Sequence, residues 1–231
     1  MSQILLKNNI KKFRSSSILC IGDIILDEYI YGTAERISPE APVPILLESN
    51  KSCQLGGVGN VARNISAVGG NAHILSVIGH DLISKSILDL IKREKNISST
   101  LVKLRDYSAP VKKRYVSNKT QLLRVDNENI NYMKANIKEK LLKKFKKIAK
   151  YFDVIIVSDY GKGFFDRDIL SSILKYGKKN GLSTLVDPKR DDFSFYNDAF
   201  MITPNKNELS LVFGKKFSSK NEIIKAGKET L

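Results

Sequence analysis

Two glycines, two asparagines and an upstream aspartate are the first residues whose types and spacing permit chemistry. The stretch Gln54–Asn64 reads Q-L-G-G-V-G-N-V-A-R-N. Gly56 and Gly57 carry no Cβ, so the backbone there can pass close to a ligand. Asn60 and Asn64 stand one helical turn apart and project from one face. Their carboxamides both donate and accept, which suits vicinal hydroxyls. Asp27, in G-D-I-I-L-D, follows the first apolar run and could accept two hydroxyl hydrogen bonds; capping a loop is its plainer role. Read differently, Gly57–Ala62 is G-x-G-x-x-A, the turn that carries a dinucleotide pyrophosphate. That turn needs a strand running straight into its first glycine. Here the candidate strand Val43–Leu47 is separated from the glycines by the polar E-S-N-K-S-C-Q. Asp81 lies after a strand, about where a ribose-binding acid belongs, and favours the dinucleotide reading. The polyol reading accounts for more of these residues.

A second group suits anions and a hard cation. Lys162 follows V-I-I-V-S-D-Y and Lys189 follows L-V-D-P. Ligands of open α/β sheets collect beyond the carboxyl ends of the strands. Two ammonium groups at that edge would neutralise anionic oxygens, although solvated loop lysines would look the same. Asn205-Lys206-Asn207-Glu208 sets an amide and a carboxylate three apart at a helix start. Such oxygens suit Mg²⁺, which keeps several of its own waters; a helix capping box has the same pattern.

These residues need elements to hold them. Short apolar runs at Ser17–Ile21, His73–Ile78, Val154–Val157, Ser183–Val186 and Phe200–Thr203 predict strands. Periodic stretches at Val58–Val68, Leu82–Lys92, Lys138–Tyr151, Arg167–Lys179 and Asn207–Phe213 predict helices. The alternation predicts a mostly parallel sheet covered on both faces. Two segments depart from it. Glu28–Leu47 carries Pro39, Pro42 and Pro44, which forbid a helix. Ser108–Val125 holds V-K-K-R-Y-V and Q-L-L-R-V split by Asn118-Lys119, a hairpin pattern. Together they predict a small β-lid over roughly 28–48 and 108–125.

Bulk composition narrows the class. The 231 residues are 42% hydrophobic and 27% charged, with a net charge of +15. One large domain is expected. The lysines are spread widely, and many occupy one face of the amphipathic stretch from Ile137, so no nucleic-acid partner is expected. Two cysteines and two histidines give no disulfide framework and no metal spacing. Met1–Phe13 lacks the apolar segment of a signal peptide, and no run is long enough to span a bilayer. A cytoplasmic setting with no membrane partner is expected.

G-D-I-I-L-D, R-I-S-P-E-A-P-V-P, L-G-G-V-G-N-V-A-R-N, S-D-Y-G-K-G, D-P-K and T-P-N-K-N-E occur in this order. Jointly they resemble the ribokinase-like carbohydrate kinase superfamily, from about Ser17 to Gly214. The R-I-S-P-E-A-P-V-P and S-D-Y-G-K-G segments are similar to its heptose 7-phosphate kinase branch. The resemblance implies a three-layer α/β/α fold with a β-lid that often pairs between two subunits, hence a homodimer. It implies transfer of a phosphoryl group from ATP, with Mg²⁺, to a sugar phosphate. For the heptose branch the product is the 1,7-bisphosphate, on the way to ADP-heptose and the lipopolysaccharide core. It assigns Asp27, Gly56, Gly57 and Asn60 to the sugar, and Lys162 to the sugar phosphate or the transferring phosphoryl, with Lys189 beside it. It places Asn205, Lys206, Asn207 and Glu208 by the nucleotide phosphates, Asn205 and Glu208 acting on the metal through water. The family's late G-x-G-D motif, whose aspartate is the catalytic base, is not found. Its place would come beyond Leu231, so residues 1–231 are expected to be an incomplete kinase domain that transfers little phosphate alone. Another sugar or nucleoside as acceptor, or a sugar-phosphate-binding module without catalysis, remain the alternatives.

Overall fold

The computed structural model describes residues 12–128 and 133–230. Most of the expected signal-free N-terminus, Met1 to Lys11, and the final Leu231 lie outside the described residues.

The body is built on strands β1 (Ser17–Gly22), β4 (Asn71–Ile78), β5 (Ile97–Lys103), β8 (Val154–Ser158), β9 (Ser183–Asp187) and β10 (Met201–Ile202). They form one six-stranded sheet in the order β10-β9-β8-β1-β4-β5, with every pairing parallel. Both faces are covered, and the central strands are near-continuous apolar runs, as that burial requires. Helices α1 (Val58–Ala67), α2 (Leu82–Arg93), α3 (Ala135–Ala149) and α4 (Arg167–Lys179) supply the covers. From β1 the chain steps one way through β4 to β5, and from β8 the other way through β9 to β10. Right-handed crossovers therefore put α1 and α2 on one face and α3 and α4 on the other. Packing between α3 and α4 agrees with this. The strand order reverses beside β1, and the crevice there is where a ligand belongs.

The helix limits follow local chemistry. Asp166 caps α4, accepting from the Ile169 amide, and Ile169, Leu170, Ile173 and Leu174 form its buried stripe. Asp81 caps α2, accepting from the Ser84 amide. The acid at the ribose-like position is thus a helix cap. Two further helices, α5 (Lys206–Val212) and α6 (Lys220–Glu229), close the described chain. Among the described residues no helix is long and apolar enough to cross a membrane.

A second sheet, in the order β3-β2-β6-β7, contains β2 (Ile24–Ile37), β3 (Pro44–Gly57), β6 (Val111–Ser117) and β7 (Thr120–Asn127). β2 pairs antiparallel with β3 and parallel with β6. β6 and β7 form the expected hairpin. Asn118 and Lys119 both adopt positive φ, 50° and 66°, as a two-residue hairpin turn requires. Two expectations need correction. Asp27 is inside β2, because the strand starts at Ile24. The polar E-S-N-K-S-C-Q is strand, so β3 runs unbroken into Gly56 and Gly57. A strand therefore does reach these glycines, contrary to expectation. The strand is an antiparallel member of the second sheet, however, whereas a dinucleotide turn follows a strand of the parallel core.

Candidate functional site

The site begins at Asp23, the single residue between β1 and β2. Its side chain is buried and accepts the backbone amides of Tyr160, Lys162 and Phe164 at 3.3, 3.4 and 3.3 Å. Its carbonyl accepts the Val58 amide, the first of α1, at 2.9 Å. One residue thus joins the exit of the core sheet, the start of α1 and the loop after β8. Burial, then the neighbouring charge of Asp159, pushes the Asp23 carboxyl up to about 6, while the three amides pull it down. Asp159 is also buried. It accepts the Gly161 amide, Nε of Arg190 at 2.9 Å and the Tyr196 hydroxyl, binding the loop after β8 to the loop after β9.

Alternation along β2 turns Asp27 and Tyr29 to one face of the second sheet, and Lys112 and Arg114 of β6 share it. Arg114 Nη1 donates to Asp27 Oδ1 at 2.7 Å, and the guanidinium stacks over Tyr29 at 5.2 Å. Gly56 lies directly behind the carboxylate: a Cβ there would come 2.3 Å from Asp27 Oδ2. A Cβ on Gly57, whose φ is +59°, would lie 2.2 Å from the Asp23 carbonyl oxygen. Both glycines therefore make room for acidic residues of the protein itself. Asp27, Gly57, Asn60, Lys112, Arg114 and Tyr160 line a cavity of 260 Å³. Gly56 stands one step behind this lining. Asn64 shares the exposed face of Asn60 but opens onto a neighbouring depression with Arg63 and Glu94.

Lys162 and Lys189 reach the same rim by the loops after β8 and β9. Lys162 Nζ is engaged by Glu128 Oε1 at 2.5 Å. Lys189 Nζ stands 3.8 Å from Glu208 Oε1, and its Cγ lies beside Gly161. Asn205 and Glu208 form a complete capping box: Asn205 Oδ1 accepts the Asn207 and Glu208 amides, and Glu208 Oε2 accepts the Asn205 amide. Lys206 and Asn207, in the first turn of α5, are exposed. The capping box leaves Glu208 Oε1 facing Lys189 and Asp187. Burial, then the Glu208 charge, raises the Asp187 carboxyl above its ordinary range. Tyr160 links the two halves. Its hydroxyl is raised by burial, then by Asp187, Asp27, Asp23 and Glu208, so both acidic groups act on one phenol.

Among the described residues no group of three or more His, Cys, Asp or Glu could cage a metal ion directly. The donors at Asp187 and Glu208 are all carboxylate oxygens with excess negative charge. They fit a hard cation that retains its water shell and do not fit a zinc-type centre.

Sequence reasoning missed Asp23, Lys112, Arg114 and Tyr160. The alternation in V-K-K-R-Y-V carried a signal, because it places Lys112 and Arg114 on one face. Which face, and against what, depends on pairing with β2 far away in the chain.

The profile described as pfkB family carbohydrate kinase matches residues 15–231. The bifunctional protein HldE of Paramagnetospirillum magneticum is 33% identical over 226 residues, covering 98% of this chain and 46% of that protein. HldE of Rhodospirillum rubrum is 35% identical over 214 residues, covering 93% and 43%. The chain thus spans somewhat under half the length of these curated relatives. Among solved structures, phosphofructokinase-2 from Escherichia coli in complex with substrates and products superposes with a TM-score of 0.72 at 18% identity, covering 93% of this chain and 68% of that one. The same enzyme in complex with fructose-6-phosphate gives 0.71 at 19% identity, covering 93% and 69%. These likenesses show a ribokinase-like fold.

Proposed function

The chain belongs to the pfkB family of carbohydrate kinases, and from that premise we propose that it forms the sugar-holding and phosphate-facing part of an ATP-dependent sugar-phosphate kinase. The acceptor we assign is D-glycero-β-D-manno-heptose 7-phosphate, phosphorylated at its anomeric oxygen to the 1,7-bisphosphate. The R-I-S-P-E-A-P-V-P and S-D-Y-G-K-G segments support that sugar, as does identity to the HldE proteins along nearly the whole chain. The observation that carries the reading is the convergence of Asp27, Gly57 and Asn60 with Tyr160 in one cavity at the reversal point of the parallel sheet.

The residues divide the work by position. Arg114 fixes the Asp27 carboxylate, whose free oxygen accepts sugar hydroxyls, and Asn60 offers a donor and an acceptor from the first turn of α1. Lys162 and Lys189 offset charge on the transferring phosphoryl group. Glu208 and Asn205 would hold a magnesium ion through its waters, and the ion would draw negative charge from the phosphate oxygens. Positioning and charge neutralisation are the main needs of phosphoryl transfer. Closure of the second sheet as a lid excludes water, which would compete as acceptor. ATP as donor places this reaction in the cytoplasm.

No G-x-G-D occurs in these 231 residues, so the base that deprotonates the acceptor is assigned outside them. A coupled ADP-release assay on this chain should stay at background, while calorimetry should detect heptose 7-phosphate binding without nucleotide. Turnover above background would place the base within the 231 residues. Binding of adenosine, with no binding of heptose 7-phosphate, fructose 6-phosphate or fructose 1-phosphate, would overturn the sugar-phosphate reading. The missing motif also favours a second reading, a sugar-phosphate-binding module. Background turnover that persists when a relative's G-x-G-D segment is appended would select it.

A further inference from the structure

We infer that Lys112 recognises the phosphate group that the sugar already carries, and thereby sets the preference of the cavity for a phosphorylated over an unphosphorylated sugar. The inference rests on the sugar-phosphate reading above and names the residue that makes the distinction.

Two cationic side chains line the cavity, Lys112 and Arg114. Arg114 is spent on Asp27 at 2.7 Å. Among the described residues no carboxylate stands within 4.0 Å of Lys112 Nζ, which lies over the Tyr160 ring at 5.6 Å from its centroid. Asp126, its cross-strand partner on β7, is held by Arg124 Nε at 2.9 Å. The aromatic face orients the ammonium and leaves its charge in place. The cavity therefore carries one excess positive charge beside a carboxylate suited to hydroxyls. A polyol with a phosphate monoester, bearing close to two negative charges at neutral pH, complements both.

The other cations near the rim suit a different task. Lys162 is engaged by Glu128 at 2.5 Å, and Lys189 faces Glu208 at 3.8 Å. Lys113, one residue along β6, points to the opposite face and lies 3.9 Å from Glu28. The register sets Lys112 directly opposite Asp27. Neighbouring strands are about 4.8 Å apart, and the long lysine stem extends the ammonium well beyond the backbone. A sugar held at Asp27 by its hydroxyls thus presents its far substituent within reach of Lys112. The sequence left Lys162 between two duties, the substrate's own phosphate and the transferred one. The structure assigns the first to Lys112.

The test titrates this chain with heptose 7-phosphate and with free heptose, comparing wild type, Lys112→Met and Lys112→Arg. Methionine keeps the stem against Tyr160 and removes the charge. The Met variant should lose about tenfold to a hundredfold in affinity for the phosphorylated sugar, the loss typical of a charged hydrogen bond. Its affinity for free heptose should change less than twofold, and the arginine variant should keep most of the wild-type preference. A melting curve accompanies each variant, and Lys112→Gln replaces the methionine form if that one unfolds early. An uncharged, folded variant with the wild-type ratio of affinities would overturn the inference and leave the kinase reading standing. A wild-type chain that binds no phosphorylated sugar would bring down the kinase reading, and the inference with it.

Discussion

Asp23 shows how much one buried carboxylate can organise. It holds three amides of the loop after β8 by its side chain and the start of α1 by its carbonyl. Burial and Asp159 raise its pKa from 3.8 to about 6 in the folded chain. A raised carboxyl means that the folded state binds more protons than the unfolded state between those values. Its contribution to stability is therefore complete below pH 4 and is lost as pH rises through about 6. The full swing is about 3 kcal/mol from the 1.36 kcal/mol per unit relation. Asp23→Asn removes the titration and leaves at least one of the three amides without an acceptor. Urea unfolding between pH 4 and 7.5 should find the variant less stable at pH 4, with the gap narrowing as pH rises. A gap that widens would show that Asp23 is not raised. Nothing in the sequence marks Asp23 for this role, because its side-chain partners lie more than a hundred residues downstream in a lysine-rich chain. Asp27 was singled out by its place after the first strand, although not as a member of β2, and the hairpin lysines and arginine were hidden among the 39 lysines and arginines of the chain.

At the scale of elements, the helices were the most legible part. Arg167–Lys179 ends where its periodicity ends and begins after a capping aspartate. The long strands β2 and β3 were misjudged because period-two alternation between cavity and core looks, in a polar stretch such as E-S-N-K-S-C-Q, like a loop. The start of α5 was open to two readings, capping box and metal support, and the structure shows the first geometry without removing the second. Glu208→Gln separates them. The glutamine oxygen can still accept the Asn205 amide, so thermal stability should change by less than about 0.5 kcal/mol. Loss of the carboxylate charge beside Asp187 should weaken Mg²⁺-nucleotide binding severalfold, read by calorimetry with and without magnesium. A variant that melts much earlier yet binds Mg²⁺-nucleotide normally would leave Glu208 a capping residue only.

The whole molecule is a parallel body with a second sheet projecting over the reversal point of its strand order. The alternating pattern foretold the body. The order of the motifs along the chain, through the resemblance it carries, foretold that separate loops would share a rim. It did not foretell that the second sheet would contribute two cations to the cavity, since parallel pairing of β2 with β6 is a long-range event. That sheet ends in edges at β3 and β7, and β7 is exposed throughout, with Leu122, Leu123 and Val125 all uncovered. Unpaired edges of this kind invite a second copy. Sedimentation at micromolar concentration should report a dimer, and Leu123→Asp should shift it to monomer while leaving the unfolding midpoint of the body nearly unchanged. A wild-type chain that sediments as a monomer throughout that range would remove the lid-to-lid dimer.

The short link at Asp23 also fixes where this molecule can be cut and recombined. The chain first enters the projecting sheet at Ile24 and first leaves it at Gly57, and both of these crossings touch the same aspartate; it passes through the sheet again from Val111 to Asn127. A chimera that borrows the lid of one relative and the body of another therefore has no neutral seam between β1 and β2. The transplant must bring the aspartate, the glycine pair and the Tyr160–Phe164 loop together, or the link and the loop it steadies will come from different proteins.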